Sequence, residues 1–570
     1  MNFKKIEWWE KVAFFLLIFS AVILFYYYGI FNSIKSFASA FYNVFVFFSG
    51  GGDFSKELPW YMYIVAVTVP LGLILTLLVL MWHSFKRWLK LNIFNKTDII
   101  VIGFGNISRK FYETNKDKNI IVLTENYEDE SVKNALDEGA YIYPYSNETF
   151  LQFSKKAKEI YILNDDDIEN IKMFERLKNV ENKSVYIHIT NREFEAFFSP
   201  NFETVEKLKS LKIFNVFRNS VIEWFENNKI EGEVNTVLEN EQVKILLIGW
   251  DNVIKEAFYH ILNIGHFYNK VPIKIVILND EVDMINEELG FMFPYLNKYN
   301  QKENDLNEQL WDIEVIDLQE YFEKIKNDFN FTNILISYHN IEESMKLAIR
   351  FVNLHLEYIE KNKTNIGVYA QDFEFSKHKI KTFGNLEKML KIENIDKYLF
   401  EKKVTKLKEQ YAKSYKKPLK DKWLDTIFTY WSNVYAHLHG EIVKREYKKL
   451  INSNQTNKIN INDLKKHPYI GKILKEDKDF ENLAKALNDI KGITLEDKIQ
   501  KFDKFAESEH RRWNAYHILN GFVYAEKTDK NKKEHQCLVN WEKIKENEFN
   551  TIKYDYNNIF DAIFNNQAKK

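Results

Sequence analysis

Asp98–Ser108 reads DIIVIGFGNIS, and this stretch decides the fold of the chain's soluble part. Ile99–Ile102 is a short apolar run with β-branched residues, bounded by Gly103, which predicts a buried strand. Gly103-Phe104-Gly105-Asn106-Ile107-Ser108 follows and opens a polar stretch of helical character. The pattern is G-x-G-x-x-G with serine at the third glycine. The first glycine permits a tight turn. The second lets backbone approach a pyrophosphate, and the helix N-terminus offers N–H groups and a partial positive charge. A second strand, Asn119–Leu123, ends before Glu125, about 20 residues after the glycines, where an acid grips a ribose hydroxyl in a dinucleotide-binding unit.

Further strands are expected at Tyr141–Tyr145, Glu159–Leu163 and Ser184–Ile189, with helical stretches between them. Alternating β and α at this spacing argues for a parallel, doubly wound sheet. Asn164-Asp165-Asp166-Asp167 stands at the end of the fourth strand, on the carboxyl edge where such sheets bind ligands. For any single aspartate of this tip, helix capping is the simpler role. The candidate cofactor contacts are Gly103, Gly105, Asn106, Ile107, Glu125 and Asp165. The glycine loop, Glu125, the Gly139-Ala140 turn and the Asp-rich tip together resemble the TrkA-N or RCK type of domain, assigned here to 97–235. That resemblance implies a nucleotide-binding lobe, for NAD or a related nucleotide, that regulates a pore or transporter.

The pattern restarts at Val243–Gly249, with further strands expected at Ile273–Leu278, Ile313–Ile316, Asn333–Ser337 and Ile366–Ala370. A second doubly wound domain is therefore expected over 242–375. Trp250 and Asn252 replace its glycine fingerprint, so it reads as a degenerate copy serving assembly or binding something other than a dinucleotide.

Upstream lie two apolar runs without a charged side chain, Val12–Ile30 and Trp60–Trp82. Each is near the roughly 20 residues a helix needs to cross a bilayer. Lys4, Lys5 and Lys11 precede the first run, and Lys86, Arg87 and Lys90 follow the second. The positive-inside rule then puts both termini in the cytoplasm of a multi-pass inner-membrane protein. Between the runs, Ser33–Phe48 is mostly apolar and aromatic and leads into Ser49-Gly50-Gly51-Gly52-Asp53. A short apolar helix, a flexible glycine run and an acid form the plan of a re-entrant pore loop, here 31–59 of a membrane domain spanning 1–92. An amphipathic helix in the outer interface, ended by a glycine turn, is the alternative. The segment resembles the pore region of two-span potassium-channel-like proteins. Residues Ser49, Gly50, Gly51, Gly52 and Asp53 stand where that family has T-V-G-Y-G-D. The resemblance implies a homo-tetramer passing an inorganic ion.

After a charged, mostly helical connector over 376–500, the tail reads Glu509-His510-Arg511-Arg512-Trp513, then Leu519-Asn520-Gly521-Phe522-Val523-Tyr524, then Lys533–Trp541 (KEHQCLVNW). This resembles the RyR domain, with the pattern E-H-x-x-W, L-x-G-W-x-Y and K-x-H-P-x-L-V-P-[WY]. It departs at Phe522, Gln536 and Asn540. The region 501–570 is expected to be a small, mainly helical domain. His510, Arg511, Arg512 and His535 can pair with phosphate, and Trp513, Tyr524 and Trp541 can stack a base. Trp513, Leu519 and Trp541 equally suit the core of a small helical domain. The RyR resemblance implies a nucleotide-derived ligand.

Over 570 residues, 80 basic and 81 acidic side chains leave a net charge of −1, which gives no case for nucleic-acid binding. One cysteine, Cys537, excludes an intrachain disulfide. His437 and His439 are two apart and do not share a helix face, which speaks against a metal site. No catalytic constellation stands beside the glycine loop. The reading is a ligand-gated channel or channel-like effector, acting in a stress or anti-phage response, that senses a nucleotide and is not an enzyme. A membrane-tethered NAD-dependent oxidoreductase and a non-conducting nucleotide receptor are the alternatives.

Overall fold

The computed structural model describes residues 97–564, apart from 178–179, 196–197, 199–209, 325–328, 378, 415–425, 452–458 and 548. Both apolar runs and the Ser49–Asp53 loop lie outside the described residues. Among the described residues no helix is long and apolar enough to cross a membrane.

The described residues divide into two compact units, one holding 97–98 with 119–157, the other 99–118 with those from 158 on. In the first unit, β2 (Ile120–Thr124) and β3 (Ile142–Pro144) pair in parallel, with Val122 opposite Ile142. The helix Glu130–Asp137 connects them. The helix Asn147–Ser154 follows, capped by the Ser146 hydroxyl on Thr149 N–H at 3.0 Å. Glu125 directly follows β2 and is exposed.

In the second unit, β1 (Ile99–Ile102), β4 (Glu159–Ile162), β5 (Ser184–His188) and β6 (Ser210–Phe214) run side by side in parallel. β1 therefore neighbours a strand far along the chain, as a doubly wound sheet requires. Tyr161 and Tyr186 stack in its interior at 4.3 Å, and Phe111 of the helix Asn106–Thr114 lies 4.6 Å from Tyr161.

The second sheet is built from β7 (Lys244–Ile248), β8 (Ile273–Leu278), β9 (Trp311–Ile316), β10 (Asn333–Ile336), β11 (Asn365–Tyr369), β12 (Ser376–Lys377) and β13 (Ile380–Phe383). Its order is β12-β13-β11-β10-β7-β8-β9. All neighbours are parallel except β12 and β13. Without β12, and counting strands within this lobe, the order is third, second, first, fourth, fifth, sixth, the dinucleotide-fold arrangement. KILLI and IKIVIL read as continuous apolar runs because helices cover both faces of a parallel sheet. The sheet extends further than expected. β12 and β13 fall in the stretch read as connector, where IKTF is too short and mixed to signal a strand alone.

Most of the rest is helical, apart from the short parallel pair Val523–Tyr524 and Glu534–His535 in the tail. The helix Ile427–Leu450 packs between the second lobe and the tail helices Leu495–Leu519 and Phe549–Phe564. Leu262, Trp311, Tyr435, Tyr516 and Leu538 belong to one apolar core, so the second lobe and the tail share an interior.

Candidate functional site

The loop after β1 has the geometry its glycines announce. Gly103 has φ +103°, and a Cβ there would meet Asn164. A Cβ on Gly105 would collide with the Asp165 carboxylate. This closeness has a cause. Asp165, on the loop after β4, accepts Asn106 N–H at 2.8 Å and Ile107 N–H at 3.2 Å. The helix Asn106–Thr114 has no side-chain cap of its own, so Asp165 supplies the negative charge its N-terminus favours. The structure thus brings Gly103, Gly105, Asn106, Ile107 and Asp165 together at the crevice between β1 and β4. Asp165 places a carboxylate on the free backbone N–H groups at the helix N-terminus.

The rest of the Asp-rich tip is structural, as capping predicts. Asp166 accepts Glu169 N–H at 2.9 Å. Asp167 is buried and accepts Thr190 N–H at 2.9 Å and Asn191 N–H at 2.8 Å. Asn170 donates to the carbonyls of Asn164 and His188, each at 2.9 Å.

Just past Asn191 begins a buried ionic network that the sequence reading did not find. Arg192 and Arg218 both reach Glu256, and Arg218 also pairs with Glu195. Asn215 donates to Glu256 at 3.1 Å. The Arg192 guanidinium lies 3.8 Å from the Tyr259 ring centre, and that of Arg218 lies 4.1 Å from Trp431. Burial alone would raise the Glu256 carboxyl, and the two arginines more than offset it, holding it below its ordinary value. The arginines come from the first lobe, Glu256 and Tyr259 from the second, and Trp431 from the helix Ile427–Leu450. Charged residues spread over 64 positions carry no local signal.

The second lobe repeats the anion theme differently. Gly249 has φ +99°, and a Cβ there would overlap the Ser337 carbonyl. Asp251 then caps the helix Asn252–Ile264 by accepting Ile254 N–H at 3.1 Å, and it accepts the Ser337 hydroxyl at 2.5 Å. An aspartate directly before a helical apolar pattern is the sequence signal for this cap.

In the tail, the EHRRW residues lie on the helix Leu495–Leu519, and most face inward. Glu509 is the hub. Its carboxylate accepts Arg512 at 2.8 Å and Asn558 at 2.9 Å, and pairs with His439 Nδ1 at 2.8 Å. Arg511 donates to the carbonyls of Lys270 at 2.6 Å and Gln309 at 2.9 Å, tying the tail to the second lobe. His510 lies against Asp555 at 3.4 Å and the Val539 carbonyl at 2.9 Å. Burial alone would lower the His510 imidazole, and the Asp555 carboxylate offsets this and holds it above its ordinary value. Trp541 is buried. Trp513, Tyr524 and His535 are half-buried. Trp513 packs against His517 with ring centres 3.8 Å apart and planes tilted by 33°, and meets His535 edge-on at 4.9 Å, while Lys543 lies 4.5 Å from the Tyr524 ring. Burial pushes His535 down to about 4.

His437 and His439 part company as their spacing predicts. His437 faces Lys403 at 2.5 Å, and His439 joins Glu509 in the core.

The RyR domain family model matches residues 487–567. The chain is similar to the solved structure described as the crystal structure of GsuK bound to ADP, with 12% identity over 67% of this chain and 96% of that chain, at a TM-score of 0.34. It is also similar to the GsuK channel bound to NAD, at 11% identity, 63% and 76% coverage and a TM-score of 0.31. For the GsuK RCK domain the values are 11%, 48% and 70%, with a TM-score of 0.29. No curated protein matches the chain.

Proposed function

We propose that this chain is a nucleotide-responsive regulatory protein whose first lobe takes the ligand's phosphate at the loop Gly103–Ser108. One observation carries the reading: the N–H groups of Asn106 and Ile107 already hold an anion, the Asp165 carboxylate. Two consecutive backbone donors at a helix N-terminus form a phosphate site when the internal carboxylate leaves. The ligand's phosphate displaces Asp165 and takes over its hydrogen bonds.

Displacement moves the Asn164–Asp167 tip. Asp167 fastens that tip to Thr190 and Asn191, next to Arg192 and its pairing with Glu256 of the second lobe. Bound and free states then differ in how firmly the lobes are tied, the differential contact that ligand control requires. In this reading the output is a pore formed by 1–92 in the cell membrane, assembled as a homo-tetramer and passing an inorganic ion.

The test is ion flux through the full chain in liposomes, with NAD, ATP, ADP-ribose and cyclic dinucleotides, beside calorimetry on the same protein. Ligand-dependent flux that disappears in Gly105→Val supports the proposal, since valine would fill the space of the incoming phosphate. Binding without flux would leave a nucleotide receptor that does not conduct. Turnover of NAD would replace the proposal with an oxidoreductase.

A further inference from the structure

We propose that the crevice at the carboxyl edge of the second sheet binds a nucleoside, a base with its ribose but no phosphate. This site is separate from the first-lobe loop and stands whether or not that loop takes a nucleotide. β7 and β10 are neighbours although β8 and β9 come between them in the chain, so the strand order reverses at this point. Ligands of open α/β sheets bind in the crevice outside the strand ends at such a point. A cavity of about 430 Å³ lies there, lined in part by Asp251, Ser337, Tyr338, His339, Tyr369 and Phe373. That volume is within the range of about 300–1,000 Å³ usual for small-molecule sites.

The chemistry of the lining selects the ligand. The helix N-terminus that would hold a phosphate is filled by Asp251 from its own loop, and Ser337 ties that carboxylate down. Among the described residues, no lysine or arginine lines the cavity. Asp372 adds a second carboxylate and faces Lys110 at 3.5 Å. A phosphate entering here would meet the Asp251 carboxylate at the helix N-terminus, and the nearest cation, Lys110, is already paired with Asp372.

The acid that serves ribose is nevertheless in place. Asp280 stands two residues past the end of β8, the second strand of this lobe, where doubly wound sheets hold a sugar diol. It accepts the hydroxyl of Tyr338, which lines the cavity. The Tyr338 and His339 rings lie 4.0 Å apart, and Phe373 is 48% exposed at the rim, giving faces on which a base can stack. The second lobe thus keeps the parts that recognise sugar and base and has replaced the part that recognises phosphate.

The test is calorimetric titration of the full chain in detergent with adenosine, 2′-deoxyadenosine and adenosine 5′-monophosphate. Gly105→Val protein is titrated alongside to separate the first lobe. Adenosine is expected to saturate one site per chain equally in both proteins. Removing the 2′-hydroxyl or adding the phosphate should each weaken binding at this site by at least about tenfold, because a carboxylate loses its partner or gains a like charge. Asp280→Asn should weaken adenosine by about tenfold, and His339→Ala, at an exposed position, should weaken it several-fold. Absence of adenosine binding, or adenosine binding that neither substitution changes, would overturn the proposal. Adenosine binding lost only in Gly105→Val would likewise overturn it and leave the first-lobe reading intact.

Discussion

The carboxylate of Asp165 rests on the backbone N–H of Asn106, 2.8 Å away and 59 residues earlier in the chain. A side chain from the fourth strand's loop thereby completes the first strand's helix. The contact makes the loop an anion site that is already occupied, and it sets the sign of the first prediction.

Asp165→Asn keeps the side chain's size and removes its charge. If Asp165 competes with the ligand's phosphate, nucleotide affinity should rise by about fivefold, the equivalent of about 1 kcal/mol of charge–dipole interaction. Calorimetry with NAD and ADP-ribose measures it. A weaker affinity would instead make Asp165 a direct ligand contact.

Glu256→Gln should destabilise the protein by about 3–5 kcal/mol, because it leaves Arg192 and Arg218 buried beside a neutral amide. Denaturant unfolding of the wild type and variant reads this. Simultaneous replacement of Arg192 by Met should recover part of the loss, because Arg218 keeps Glu195 as its partner, and strict additivity would contradict the coupling.

Glu446 gives a pH prediction. It is buried, accepts Tyr268 N–H at 3.1 Å, and burial pushes its carboxyl up to about 8. The unfolded chain titrates near about 4.3. Between those values the native state holds more protons than the unfolded state, so stability falls as pH rises through that window. Below it the acid is neutral in both states and the penalty vanishes. Glu446→Gln stays neutral throughout. The difference in unfolding free energy between variant and wild type should grow by as much as about 1.4 kcal/mol per pH unit from about pH 5 to 8. Parallel curves would show that Glu446 is ionised in the folded protein.

Glu509→Gln and Arg511→Ala should separate two roles within EHRRW. Glu509→Gln leaves Arg512 buried without its charge partner and should cost about 3–5 kcal/mol of stability. Arg511→Ala removes the donors to the Lys270 and Gln309 carbonyls together with the Glu308 ion pair at 3.4 Å, and should cost about 2–4 kcal/mol. Limited proteolysis of Arg511→Ala should cut between the second lobe and the tail sooner than in the wild type. Unchanged cleavage would mean that other contacts hold the tail in place.

Much of this was legible in the chain. DIIVIG, VKILLIG and IKIVIL announce buried parallel strands because a strand covered on both faces must be apolar throughout. Gly103 and Gly105 announce the loop because only glycine leaves room beside Asn164 and Asp165. EHRRW was legible as a motif, but its orientation was not. Its residues look like phosphate ligands in sequence, and the fold turns Arg511 and Arg512 inward onto a carbonyl pair and a carboxylate. Short β13 was missed because IKTF becomes a strand only when β11 offers it an edge.

The sequence by itself determined the alternation of strands and helices, the carboxyl-edge loop built on Gly103 and Gly105, and the RyR-like tail. These rest on local rules, hydrophobic period, φ freedom and residue spacing, which act over a few residues. Only the tertiary structure decided that Asp165 fills the anion position. It alone joined Arg192 and Arg218 to Glu256, and placed Asp251, Asp280 and Tyr338 around one crevice. Those partners lie tens of residues apart, and nothing local pairs a buried charge with its counter-charge. The pairing follows from the order in which the sheets assemble and from the cost of leaving any such charge alone in the interior.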